Sequence, residues 1–548
     1  MIFIFTQRNL ILAMKKILFT TIVLTIFSLS HLSAQNVDMK WGPEFEPKGT
    51  EMGLVGKIKG AFYTIQIVDK KLILTKIRTS DMSTIFTKDL PYNKIDRKTA
   101  DDKVEYWGIV QCKKNFVLFV KDTDKKTDKE YVYGQIIDFD GNPVGGMKEL
   151  MSREMGRKSR DGSFERVVSD DSSKILIVGN PIFEKYADEK FNYWLFDQNL
   201  KLTKGFSVSF PFKDKDFSLK DYDVTNEGII VILARIDLPK KDRKKDETTY
   251  YYQLVTINPI NNVETKQYDI NLDKKYIEEA ELMTDKNNNI KCIGLYAEMK
   301  DNGKPKDGIN GTFYLSIDKN TGKITSSSTK EFSKQLVEEL SGKKRAKKDK
   351  GLESNFTIAS FLDKENGGCQ VILEQQYITE VTHCSTNSSG GQSCRTTYYY
   401  HNDELLIVNV DLNGKIENYV TIPKLQVSTN DGGAFNSIYS TRYDGKTYIF
   451  YADNKKNTGQ SFEYVGGGMA SIPVCVAVSD NGVFTKSSIG LENTTGKKKQ
   501  KFYFTIKPQQ TDKISDNEAI LYGYKYKKRC CCGGGKPKLR YGYMTIQK

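Results

Sequence analysis

Stacked on one another, "YGQIIDFDGNPV", "FNYWLFDQNLKL", "YYQLVTINPINNVE", "FYLSIDKNTGKI", "LLIVNVDLNGKI" and "VCVAVSDNGVF" share one plan: a strand, a tight polar turn, another strand. A weaker first copy is "LILTKIRTSDMSTI". The residues entering the turns are Arg78, Asp138, Asp197, Asn258, Asp318, Asp411 and Ser479, at intervals of 60, 59, 61, 60, 93 and 68. A fixed period of this kind means one supersecondary unit repeated along the chain. No other feature limits the possible folds so strongly.

Each copy carries a second hairpin upstream of the first. "RVVSDDSSKILIVGN", "DYDVTNEGIIVILAR", "AELMTDKNNNIKCIGLY" and "NSIYSTRYDGKTYIFYAD" all read strand, Asp/Asn/Gly turn, apolar strand. Gly and Asn tolerate positive φ and so close tight hairpins. One repeat is therefore four antiparallel strands, A to D. The expected fold is all-β: a β-propeller of about eight four-stranded blades, with seven blades or tandem β-sandwiches as alternatives. The final strand-C copy, "LRYGYMTIQK", ends the chain and leaves no room for a strand D. Segment 38–47, "DMKWGPEFEP", is expected to pair with that last blade, closing the ring and removing exposed edges. At the level of class the chain resembles exported β-propeller repeat proteins, without the repeat signatures of the WD40, kelch or sialidase types.

Residues 1–34 read as a secretory signal peptide, with Met14 as the true start. Lys15 and Lys16 precede an apolar run over 17–29, and small residues end at Ala34. That run is short for a membrane-spanning helix. Residues 35–548 are then expected to form a single propeller domain without a transmembrane segment. It would be exported to the periplasm, the cell surface or the medium, where disulfides persist.

In an up-and-down blade, A–B and C–D turns share one face of the ring. B–C loops and D–A links share the other. The first class is short and polar, while the second holds 238–249, 300–310, 333–356, 377–403, 453–469 and 525–540. Insertions confined to one face mark it as the variable, functional one. Charge agrees. The runs 238–249, 342–350, 497–501 and 525–540 carry +2, +5, +4 and +7, against a formal +14 for the whole chain. The remainder is therefore acidic. The expected site for an acidic partner comprises Lys343, Lys344, Arg345, Lys347 and Lys348, then Lys497, Lys498 and Lys499, then Lys527, Lys528, Arg529, Lys536 and Lys538. The bland reading of any one run is a solvated loop tip.

Cys112, Cys292, Cys369 and Cys475 fall in or beside strands, where a thiol acts as a small hydrophobe. Cys384 and Cys394 lie in one long loop with His383 and His401, and a disulfide is expected there. The alternative is a Cys/His metal site, which the adjacency of His383 and Cys384 disfavours. In "RCCCGGGK" (529–536) the glycines imitate a phosphate loop, but the flanking strand, helix and Lys-Ser/Thr step are missing. No cofactor or metal is assigned. Aromatics that open the C strands read as packing, whereas Tyr398, Tyr399 and Tyr400 precede their strand and are expected to form an exposed stacking surface.

These features point to a non-catalytic, monomeric binding or scaffold protein of the bacterial cell envelope. Its basic loop face would recognise an anionic glycan, a lipopolysaccharide phosphate or an acidic protein. Nucleic acid fits less well, because the long loops lack regular aromatic interleaving. The alternative is a polysaccharide hydrolase or lyase with paired acids at the central channel. Clustered buried carboxylates there would favour the enzyme, and apolar filling the scaffold.

Overall fold

The computed structural model describes residues 37–92, 103–124, 126–156, 162–244, 247–260, 264–284, 289–318, 323–386, 391–454, 457, 471–489, 504–525 and 538–548. Among these the strands form eight antiparallel sheets. Seven take their four main strands in chain order, from 50–90, 103–154, 163–213, 217–270, 275–331, 356–429 and 439–488. The eighth unites the two ends of the chain. Its inner strand is split into Thr505–Ile506 and Asp512–Ser515, followed by Glu518–Lys525 and Lys538–Ile546, and Val37–Trp41 lies outermost. The fold is an eight-bladed β-propeller, which removes the seven-bladed and sandwich alternatives. The regular spacing fails at blade 6, where a helical link and a long hairpin are inserted.

Strands B and C are covered on both faces by neighbouring blades, so they read as unbroken apolar runs. Ile230–Asp237 and Ile290–Glu298 are buried along almost their whole length. The outer strand Leu202–Lys213 is covered on one face and alternates. Eight apolar clusters lie between consecutive blades. Leu176 and Tyr193 of blade 3 meet Ile232 and Val255 of blade 4. Phe62 and Ile77 of blade 1 meet Tyr522 and Tyr541 of blade 8, which closes the circle. The aromatics Tyr133, Tyr193, Tyr252, Phe313 and Tyr314 are buried in this packing.

The turns explain the recurring acid. Asp138 Oδ1 accepts from the backbone amides of Asp140 and Asn142 at 2.9 and 2.7 Å. Asp197 and Asp411 close their C–D turns in the same way. A short carboxylate that bonds amides two and four residues ahead fixes the turn locally.

At the ring closure, Val37 to Trp41 pairs with Ile546 to Gly542. The Trp41 indole lies on Gly523 and Gly542, where an added Cβ would come within 2.8 and 2.6 Å of the ring. Phe45 then exchanges two backbone hydrogen bonds of 2.9 Å with Leu539. Between them, Glu44 meets Lys525 Nζ at 3.0 Å, Lys538 Nζ at 3.3 Å and Arg540 Nη2 at 3.5 Å. Burial pushes the Glu44 carboxyl up, but Lys525 and Lys538 together hold it below its ordinary value.

Trp41→Ala is expected to lower the unfolding free energy by about 3 kcal/mol, read from urea titration. Glu44 has a depressed folded pKa. Its contribution is therefore present above the ordinary carboxyl value of 4.5 and lost as pH falls through the lower folded value. The Tm gap between wild type and Glu44→Gln should accordingly shrink on acidification. A gap that persists in strong acid would assign the effect to something other than this carboxylate.

Candidate binding face

Two insertions dominate the face of B–C loops and D–A links. The first is the link between blades 5 and 6. Ser333 caps helix α1 (Lys334–Ser341), its Oγ accepting from Leu336 N at 3.2 Å. Gly342, at φ 86°, ends α1, and α2 (Lys343–Lys347) follows at once. Leu336, Val337 and Ala346 are buried between the two blades. Arg345 is the pin: its Nε donates to Gly351 O at 3.0 Å and its Nη2 to Asp307 Oδ1 at 3.1 Å. Lys350 meets the same carboxylate, and Lys350 and Arg345 together hold Asp307 below the ordinary range. Lys343, Lys344, Lys347 and Lys348 are left exposed. Arg345, grouped with them from sequence, is engaged internally.

The other basic positions divide. In the blade 4 loop, Lys240 and Lys241 are exposed, Arg243 Nε donates to Leu238 O at 2.8 Å, and Lys244 pairs with Glu247 at 2.8 Å. Lys538 belongs to the ring closure, against Glu44. Lys497, Lys498, Lys499, Lys527, Lys528, Arg529 and Lys536 lie outside the described residues, with Cys530, Cys531 and Cys532.

The second insertion, 377–403, reads from sequence as a loop but is a sheet. Strands Cys369–Thr386 and Gln392–Val410 stay paired from Cys369↔Val410 out to Thr386↔Gln392. Thr, Tyr and Val suit such an arm. Cys384 and Cys394 face each other in register and are joined by a disulfide. No thiolate therefore remains in the arm to ligate a metal beside His383 or His401. Strand alternation divides the tyrosine run. Tyr398 and Tyr400 share a face with Ile378, while Tyr399 lies on the other with Tyr377 and His401. The Tyr377 and His401 rings stack at 4.3 Å, and Thr379 Oγ1 lies 2.9 Å from His401 Nε2. The three tyrosines stand within the strand and do not form one platform.

The root of the arm is a network that sequence reasoning missed. A third strand, Gln426–Thr429, pairs with 399–402. Beneath it Glu374 and Lys424, both fully buried, form an ion pair at 2.8 Å. Gln376, Asn402 and Ser437 side chains donate to Glu374 Oε2 at 2.6, 3.1 and 2.6 Å. Burial pushes the Glu374 carboxyl up, but Lys424 and these donors bring it below its ordinary value. The available signal was an acid closing the apolar run "CQVILE" in a strand buried on both faces.

Carboxylates also gather on the inner strands, where sequence alone singled out no pair. Asp221 Oδ2 accepts from Leu282 N at 2.8 Å, and Asp223 Oδ2 from Thr284 N at 3.1 Å. Glu279 Oε1 accepts from Ile358 N at 3.3 Å, and Asp512 Oδ2 from Leu54 N at 3.1 Å. Each acid thus bonds an amide of the next blade's inner strand. Burial pushes all four up, Asp512 to about 6. Glu281, on the same strand as Glu279, is pushed up to about 7 by burial and by Glu279 and Asp221. Among the described residues no group of three or more His, Cys, Asp or Glu side chains is placed to hold a metal.

No protein-family description matches the chain, and no curated protein matches it in sequence. Solved structures resemble it in fold. A europium-containing methanol dehydrogenase is 9% identical, with 92% of this chain and 93% of that one covered and a TM-score of 0.39. The β-propeller domain of the trilobed protease from Pyrococcus furiosus is 9% identical over 83% and 99%, TM-score 0.33. An endo-arabinase from Bacteroides thetaiotaomicron is 14% identical over 52% and 99%, TM-score 0.23.

Lys424→Met strands Glu374 in a dry site and is expected to destabilise by about 3–5 kcal/mol. Hydrogen exchange should accelerate first across 377–401. Cys384→Ser should loosen the outer hairpin alone and leave the ring's main unfolding transition in place. A single transition shifted equally by both substitutions would mean that arm and ring are one cooperative unit.

Proposed function

We propose that this protein is an exported, non-catalytic binding or scaffold protein of the bacterial cell envelope, whose loop face takes an acidic partner. The partner class is an anionic glycan, a lipopolysaccharide phosphate or an acidic protein surface. One observation carries the reading. Lys343, Lys344 and Lys347 are exposed on α2 and Lys348 just beyond its end, on a segment that Arg345 and Ala346 anchor to the ring, with Lys343 lying 3.7 Å from Glu338. Four cations on a fixed element form a local positive field without the entropy loss of ordering a loop. The turns of the opposite face carry Asp138, Asp197, Asp411 and Asp444, while Asp171 and Asp480 there are paired with Lys113 and Arg442. Among the described residues no helix is long and apolar enough to cross a membrane.

A second reading, acid–base cleavage of a polysaccharide at the channel, draws its support from Glu281. A carboxyl pushed up to about 7 lies in the range of a general acid. Accumulation of reducing ends from an anionic polysaccharide with wild type, and none with Glu281→Gln, would replace binding by catalysis.

For the binding reading, Lys343, Lys344, Lys347 and Lys348 are changed together to Gln, with Arg345 kept. Affinity for polygalacturonate, or for vesicles containing anionic lipid, should fall by about tenfold or more while the Tm changes little. Wild-type affinity should drop steeply between low and physiological salt, where screening acts over about 8–10 Å. Asn413→Ser, in a turn on the opposite face, is the control and should leave binding alone. Salt-insensitive binding, or equal loss with the control, would reduce the lysines to solvated tips.

A further inference from the structure

The seam between blades 8 and 1 differs from interfaces at which the outer strand of one blade lays apolar side chains on the next, as Phe206, Val208 and Phe210 of blade 3 do on blade 4, and Val420 and Ile422 of blade 6 on blade 7. The closing strand Val37–Trp41 does the reverse. Val37, Met39 and Trp41 pack towards blade 7. Alternation then puts Asp38 and Lys40, both exposed, on the side of blade 1. The outer half of the blade 1 face therefore receives no apolar side chain from that strand, and a cavity of about 660 Å³ opens over it.

The lining of that cavity is as unusual as its position. On its floor stand Thr64, Gln66, Ile73, Thr75, Ile77 and Thr87. The equivalent face of blade 4 carries Ile230, Ile232, Ala234, Val255 and Ile257. Hydroxyl and amide groups thus replace aliphatic ones at positions where the repeat calls for a dry interface. Departures from a fold's own local rule concentrate at functional sites. One wall is rigid: Phe45 and Tyr541 pack at 5.0 Å, and the Tyr541 hydroxyl donates to Thr64 Oγ1 at 3.4 Å. Charge is confined to Glu46, Lys48, Asp69 and Lys71, two of each sign, and Lys71 is paired with Asp89 at 3.2 Å. Nothing in this balance complements a net charge on a ligand. The volume is within the range of about 300–1,000 Å³ found for small-molecule sites.

We propose that the seam cavity binds a small uncharged amphiphile, with an apolar body against Ile73, Ile77, Met82 and Phe45 and hydroxyl or amide groups towards the threonines. This site is separate from the lysines of α2 and does not depend on them. The probe is n-octyl β-glucoside, titrated below micelle formation into the whole protein, with the Met82 methyl resonance as the local reporter. A saturable shift with one molecule bound per chain is expected, together with a rise in Tm by linkage. Octanoate, of similar length, should bind at least about tenfold more weakly because its carboxylate would have to leave water. Thr75→Phe fills the floor and should abolish the shift. Thr87→Leu, a milder filling, carries the same test should Thr75→Phe not fold. An unsaturable shift, no shift at Met82, equal binding of octanoate, or undiminished binding in a folded filled variant would each overturn the proposal.

Discussion

The ring depends on the pairing of Val37–Trp41 with Lys538–Ile546. All eight inter-blade junctions are covalently continuous, the last through 42–49 between the closing strand and blade 1. The joint held by contacts alone lies inside blade 8, where residues such as Glu44 and Lys525 stand 481 positions apart. Closing so long a loop costs entropy that grows with the logarithm of its length. Against this the seam sets a strand ladder, an indole seated on two glycines, and a carboxylate shared by three cations. It also removes the free edge that the last strand would otherwise present. Lys538 shows the consequence for function. A residue that reads as part of a basic loop is already neutralised by closure.

A second consequence follows from how the turns are built. The C–D turns at Asp138, Asp197 and Asp411 are short because an Asp side chain closes each locally, and those acids lie on one face. The long described segments lie between B and C or between blades, and there Lys240, Lys241, Lys343, Lys344, Lys347 and Lys348 are exposed. The separation of these lysines from the turn acids is thus partly a by-product of turn chemistry. What exceeds that by-product is the anchoring of α2, because a solvated tip would not need Arg345 bonded to Gly351 and Asp307. The same distinction applies to the arm, whose buried Glu374–Lys424 pair orders its root. Such a pair contributes little net stability compared with apolar packing, but breaking it is costly.

Much of this was legible in the chain itself, for a physical reason. Strands B and C are buried on both faces, so "IIVILAR" and "KCIGLY" stand out from any register, and the Asp-marked turns between them keep the period. Blade 6 was harder. Beyond Gln376 the hairpin has no blade on either side, so its residues carry no apolar run, and a Thr/Ser/Tyr-rich strand looks like a loop by composition. The alternation that splits Tyr398 and Tyr400 from Tyr399 becomes visible only once that stretch is known to be extended. Glu374 was missed and Arg345 misassigned for the opposite reason: their roles depend on Lys424 and Asp307, which no spacing rule connects to them. The inner-strand acids belong with these, since their amide partners lie one blade further on.

The seam also shows how closure by a five-residue strand limits what an interface can become. An alternating strand presents apolar side chains to one side only, and a shift of one residue would exchange its two faces. Here Met39 and Trp41 serve blade 7, so blade 1 receives Asp38 and Lys40. Had the partly exposed Gln66 and Thr75 positions carried the aliphatic residues found in blade 4, that face would present an exposed apolar patch, a liability on a solvent-facing surface. Threonine resolves the conflict: its methyl still packs in a strand while its hydroxyl tolerates solvent or a hydrogen-bonding guest. The polar floor and the parity of the closing strand are therefore two sides of one constraint, set by the use of Val37–Trp41 to finish the last blade.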